Sequence, residues 1–111
     1  MNQWVLEFPA EVVITDTTGI IIEMNKEAEA LFAEDGGDGL LGSNVLDCHP
    51  DPSRNKLEFI MVRQVSNAYL NTESGETRFF FQAPWKKDGQ YAGFVEISFV
   101  VSDEIPHFIR G

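Results

Sequence analysis

The stretch Asp47-Cys-His-Pro-Asp-Pro-Ser53 sets the chain's single cysteine beside one of its two histidines. Both side chains can do chemistry. A neutral imidazole binds a metal through a ring nitrogen, and a thiolate is both a metal ligand and a nucleophile. One chemical reading makes His49 or Cys48 an axial ligand of heme iron. The plainer reading makes Cys48 a small buried apolar residue and has His49 bond a backbone group. Two prolines then set the angle at which the chain runs into a helix. One His next to one Cys is a poor ligand signature, so the plainer reading is preferred.

Little else in the sequence suggests catalysis. Glu34-Asp-Gly-Gly-Asp-Gly39 lacks the alternating ligands and distal Glu of a calcium loop, and reads as a solvated turn. His107 has no partner motif near it. No Ser-His-Asp order, Walker loop or Gly-x-Gly-x-x-Gly fingerprint occurs. Carboxylates are plentiful because the chain is acidic, with 18 Asp and Glu against 8 Lys and Arg and a formal net charge of -10. That sign repels phosphate backbones, so direct nucleic-acid binding is not expected, and neither is enzymatic activity. A lone cysteine forms no intrachain disulfide, no apolar run is long enough for a bilayer, and the N-terminus lacks a basic leader region. The expectation is a cytoplasmic protein with no membrane association.

The elements that must position Cys48 and His49 follow from local patterns. Apolar residues make up 43% of the 111 residues, enough for one domain core. Glu11-Val-Val-Ile-Thr15 and Ile20-Ile-Ile-Glu-Met24 are β-branched runs joined by Asp16-Thr-Thr-Gly19, which reads as a hairpin. Asn25 offers an N-cap for a short helix over Lys26 to Ala33. Asp51 as N-cap and Pro52 at the first helical position predict a longer helix that ends near Ser66-Asn67. Leu57, Ile60, Met61 and Val65 form its apolar stripe. Strands follow over Ala68 to Thr72, Thr77 to Trp85 and Tyr91 to Val101, with turns at Glu73-Ser-Gly75 and Asp88-Gly89. In the last strand Val95, Ile97, Phe99 and Val101 form a wholly apolar face and are expected to point at the core; Phe94, Glu96, Ser98 and Val100 share the other face. The order β-β-α-α-β-β-β predicts an α+β fold, a five-stranded antiparallel sheet with helices between strands 2 and 3 packed on one face.

Three local matches give this order a family resemblance. Val13-Ile-Thr-Asp-Thr-Thr-Gly-Ile-Ile-Ile-Glu-Met-Asn25, with Glu27-Ala28 and Leu31-Phe32, is similar to the opening hairpin and first helix of PAS domains. Leu41-Gly42-Ser-Asn resembles the glycine that opens their central helical segment. Lys87-Asp-Gly-Gln-Tyr-Ala-Gly93 and Val101-Ser-Asp103 resemble their last hairpin and closing Asp. The resemblance spans essentially the whole chain. It implies a sensory PAS domain over residues 11–103, a flanking segment over 1–10 that supports dimerisation, and a tail over 104–111. It also implies a ligand pocket beneath the long helix, with Leu57, Ile60 and Met61 as lining residues. Heme-binding members usually carry their His within that helix, whereas His49 precedes it. Flavin-adduct chemistry is not expected, because Gly42-Ser-Asn44 is followed by Val45 and not by a cysteine.

Phe79, Phe80, Phe81 and Trp85 put large rings on both faces of one strand. One face packs under the helices. The other needs a cover, and Trp4-Val-Leu-x-Phe8 could supply it from the same chain or from a second copy. A homodimer is therefore expected. Two functions fit these residues: a sensory module that binds a small ligand or protein partner and signals to a separate output protein, or a ligand-free interaction module. A heme-based gas or redox sensor is the weaker third.

Overall fold

The computed structural model describes residues 1–111. Its elements are α1 (Gln3–Leu6), β1 (Glu11–Thr15), β2 (Ile21–Met24), α2 (Lys26–Leu31), α3 (Ser53–Arg63), β3 (Asn67–Glu73), β4 (Glu76–Lys87) and β5 (Gln90–Val101). The strands form one antiparallel sheet in the order β2-β1-β5-β4-β3, with the helical residues between β2 and β3 on one face. The α+β architecture expected from sequence is the one observed. No helix is long and apolar enough to cross a membrane.

Local chemistry explains the turns. Asp16 Oδ1 accepts from the Thr18 amide at 2.9 Å, the Thr18 hydroxyl at 2.8 Å and the Ile20 amide at 3.0 Å. That closes the β1–β2 turn around a side chain, the Asx-type device. These bonds, the Thr18 hydroxyl's first, hold the Asp16 carboxyl below the usual range. Ser74 and Gly75 (φ 53° and 78°) and Asp88 and Gly89 (φ 53° and 81°) both sit in the left-handed region. Two such residues in succession are what a tight hairpin between right-twisted strands requires.

Asn25 is wholly buried and joins three segments. Its Oδ1 accepts from the Ala28 amide, capping α2, and from the Val12 amide of β1, both at 3.0 Å. Its Nδ2 donates to the carbonyls of Val5 at 3.0 Å and Ala10 at 2.7 Å, which ties α1 to the β1–β2 hairpin. Every polar capacity of the amide that geometry allows is thereby used.

The structure corrects the sequence expectations at several points. α2 stops at Leu31, and the chain continues in 3-10 turns over Ala33–Asp35 and Gly37–Leu40 where an irregular loop was expected. Asp51 does not cap α3. Pro52 holds the cap position and no side chain bonds there, and the helix ends at Arg63 because Gln64 turns left-handed at φ 55°. Val65 thus lies beyond the helix and is exposed, so the buried stripe reduces to Leu57 and Ile60 with half-buried Met61.

The faces of β5 are also the reverse of the expectation. Phe94 and Ser98 are buried beneath the helical layer, while Phe99 on the wholly apolar face is 41% exposed. Register places Glu11, Val13, Arg78, Phe80 and Gln82 on the Phe94 side. The helices settle on the face that carries a hydrogen-bonded polar network, and the apolar face turns outward. The N-terminal segment docks at the β1–β2 end, with the Met1 amine 2.8 Å from Glu23, and leaves Leu70 63% exposed. It does not cover the outer face.

Candidate ligand-binding crevice

The segment between Leu41 and Pro52 hangs over the sheet because its backbone is pinned to the β1–β2 hairpin. The Gly42 amide donates to Ile21 O, the Ile21 amide to Ser43 O and the Val45 amide to Gly19 O, each at 2.9 Å. Asn44 Nδ2 donates to Thr18 O at 3.1 Å, and its Oδ1 caps a 3-10 turn over Val45–Cys48 by accepting from the Leu46 amide at 3.0 Å. The residues that resemble the family's Gly-x-Asn segment therefore carry His49 to its place.

Two small cores flank this segment. Val13, Ile21, Met24 and Ala28 form one, and Leu57, Ile60 and Phe94 the other; half-buried Val45 packs against both. The helix face of the sheet is hollow beside the first core. A cavity of about 440 Å³ is walled by Val13, Ile21, Met24, Phe32, Leu40 and Val45, with Glu96 and His49 at its polar end. A gap of about 50 Å³, bordered by Leu57, Met61 and Gln82, separates it from a groove of about 530 Å³ between α3 and β3. His49 borders all three, so they form one crevice hinged on its ring. The larger hollows are in the size range of small-molecule sites.

His49 Nδ1 lies 2.6 Å from the Val45 carbonyl oxygen. A carbonyl only accepts, so Nδ1 carries the proton, and the neutral form of the ring is the tautomer with its lone pair on Nε2. His49 thus bonds a backbone group, as the plainer sequence reading expected. Cys48 departs from that reading: it is exposed at the cavity rim, its Sγ 3.8 Å from Asn44 O. Leu57 and Met61 border the small gap, and Ile60 packs in the core against Phe94.

The helix face of the sheet carries a polar network that the sequence reading passed over, of which Asn67, Gln82 and Glu96 border the hollows. Ser98 Oγ donates to Glu11 Oε1 at 2.6 Å and accepts from Arg78 Nη1 at 3.1 Å. Gln82 Nε2 donates to Glu96 Oε1 at 3.0 Å, and Asn67 Nδ2 donates to Gln82 Oε1 at 3.1 Å. Glu11 is only 1% exposed, and its Oε2 meets no donor. Burial, then the charge of Glu96, push the Glu11 carboxyl up to about 9. A proton on Glu11 resolves the orphan: Oε2 becomes a donor toward Glu96. Burial and the same two carboxylates also push the Tyr69 hydroxyl up to about 12. The available sequence signal was Glu96 and Ser98 interrupting an apolar strand.

A porphyrin does not suit this lining. His49 Nε2 is a competent iron ligand, but the two propionates of heme would meet Asp35, Asp47 and Glu96 with no Lys or Arg in the cavity wall. Only Lys56 borders the neighbouring groove. No group of three or more His, Cys, Asp or Glu is arranged to hold a metal ion.

No family sequence model matches the chain, and no curated protein matches it in sequence. Solved structures do. The PAS domain of BvgS from Bordetella pertussis superposes with a TM-score of 0.65 at 16% identity, covering 90% of this chain and 82% of that one. A sensory box sensor histidine kinase from Vibrio cholerae gives 0.62 at 16% identity over 86% and 85%. The Aer2 receptor of Vibrio cholerae, described as a dual PAS-heme oxygen sensor, gives 0.64 at 12% identity over 84% and 95%.

Proposed function

We propose that this chain, which has the PAS fold, is a sensory module whose input is a small molecule held in the crevice beneath the 41–52 segment. The cavity of about 440 Å³ between the 41–52 segment and the Val13–Ile21–Met24 core carries this reading. A domain of this size has little apolar material to spare, and leaving space against its core unfilled lowers stability. An apolar hollow with a few polar groups in its wall is the usual form of a binding site. Ligand occupancy would be felt by Val45, which packs on both cores, and through Gln82 and Glu96 by β4 and β5. The sensory domain would span residues 11–103, acting in the cytoplasm by binding and not by catalysis, with a separate protein as its output.

A second reading has its own observation. Leu70, Phe81 and Phe99, at 63%, 39% and 41% exposed, form an apolar outer sheet face that a second copy of the chain would cover. Homodimerisation there is compatible with ligand sensing, or stands alone as the module's role if the crevice binds nothing. Heme-based sensing through His49 is disfavoured by the anionic lining.

The test is a fragment-library titration of the isotopically labelled chain followed by NMR. Hits are expected to shift the amides of Val13, Val45, His49 and Glu96. A library with no hit in the crevice would overturn the sensory reading and leave the interaction module.

A further inference from the structure

Glu96 is a half-buried carboxylate on the crevice floor, and no cation of the chain pairs with it. Gln82 supplies one neutral donor to Oε1, and the neutral Glu11 carboxyl is a second neutral donor toward the same side chain. Arg78, the cation on the same sheet face, is engaged with Ser98. No Lys or Arg lines the cavity; its other ionisable walls are His49, Cys48, Asp35 and Asp47. From the 41–52 segment His49 also lines the cavity, and with Nδ1 committed to Val45 O the neutral ring has Nε2 as its acceptor.

These groups have one sign and one hydrogen-bonding sense. Any ligand that fills the cavity strips water from Glu96, and desolvating a carboxylate held only by neutral donors is unfavourable unless opposite charge replaces the water. An anion adds repulsion, and a neutral ligand leaves the desolvation uncompensated. A cation with N–H donors meets Glu96 as a charge-assisted partner and His49 Nε2 as an acceptor. The remaining wall, built from Val13, Ile21, Met24 and Val45, asks for an apolar body. The net charge of -10 raises the local concentration of cations around the whole molecule.

We propose that the crevice binds small organic amines in their ammonium form, with the nitrogen between Glu96 and His49 and an apolar body against the aliphatic wall. This rests on the reading that the crevice takes a small ligand.

Three matched probes test it on the full chain by NMR titration: 2-phenylethylamine, 2-phenylethanol and phenylacetate. The amine is expected to shift the amides of Val13, Val45, His49 and Glu96 saturably and to bind tightest. Glu96→Gln keeps the shape and the contact with Gln82, and should weaken the amine about 10- to 100-fold, the worth of a hydrogen bond to a charged group. The comparison among probes on the wild type stands even where the variant folds poorly. Alcohol or acid binding in the crevice as tightly as the amine overturns the cation inference and leaves the small-ligand reading intact. An unchanged amine affinity in a folded Glu96→Gln variant overturns it as well. No crevice shift from any probe overturns both.

Discussion

Replacing Glu11 with Gln should flatten the pH dependence of stability. In the native chain Glu11 is 1% exposed, faces Glu96, Ser98, Arg78 and Tyr69, and keeps its proton to about pH 9. The unfolded chain releases it near the ordinary value of 4.5. Across that window the native state holds a proton that the unfolded state lacks, so this group's contribution is full below the unfolded pKa and is lost as pH rises toward the native one. The slope is at most about 1.4 kcal/mol per pH unit, hence about 2 to 3 kcal/mol across two units centred near neutrality. That is a large share of the roughly 5 to 15 kcal/mol a domain has. Gln at position 11 keeps an acceptor for the Ser98 hydroxyl, offers an N–H toward Glu96 and has no proton to lose. Urea unfolding followed by tryptophan fluorescence, at a series of pH values, measures the difference between the two proteins. The wild type should lose stability relative to the variant by that amount from about pH 6 to about pH 8. Parallel curves would refute a buried neutral carboxyl at this position.

Other substitutions probe the frame and the surface. A Cβ on Gly93, which sits at φ +141°, would lie 2.0 Å from the Thr15 carbonyl oxygen, so Gly93→Ala must force β1 and β5 apart. A loss of about 4 kcal/mol or more is expected in thermal melts, and a near-wild-type melt would contradict that close approach. Asn25→Ala removes the α2 cap and orphans the Val12 amide and the Ala10 carbonyl, for a loss of about 3 kcal/mol by urea unfolding. A change of only a few tenths would show that water replaces the side chain. On the outer sheet face, the wild type is expected to sediment as a dimer and Leu70→Glu as a folded monomer with an unchanged circular dichroism spectrum; a monomeric wild type would remove the homodimer reading.

Several parts of the fold were legible in the residues alone. The Asp16–Gly19 and Asp88–Gly89 turns are short-range events, set by which residues tolerate a left-handed backbone or fold a carboxylate onto nearby amides. Asn25 as a helix cap, the order of strands and helices, and a bond from His49 to a backbone group are of the same kind. Other features required the tertiary structure. Alternation along β5 shows which residues share a face, but which face is covered depends on where the helices pack. The apolar set was the wrong choice because the opposite face carries polar groups that satisfy one another across β1, β4 and β5. Ser98 and Glu11 are 87 positions apart in sequence and 2.6 Å apart in space. The Cys-His stretch looked like the chemistry of this chain. His49 keeps a place at the crevice, Cys48 faces solvent, and the charge that defines the site comes from Glu96, whose environment exists only once distant strands have paired.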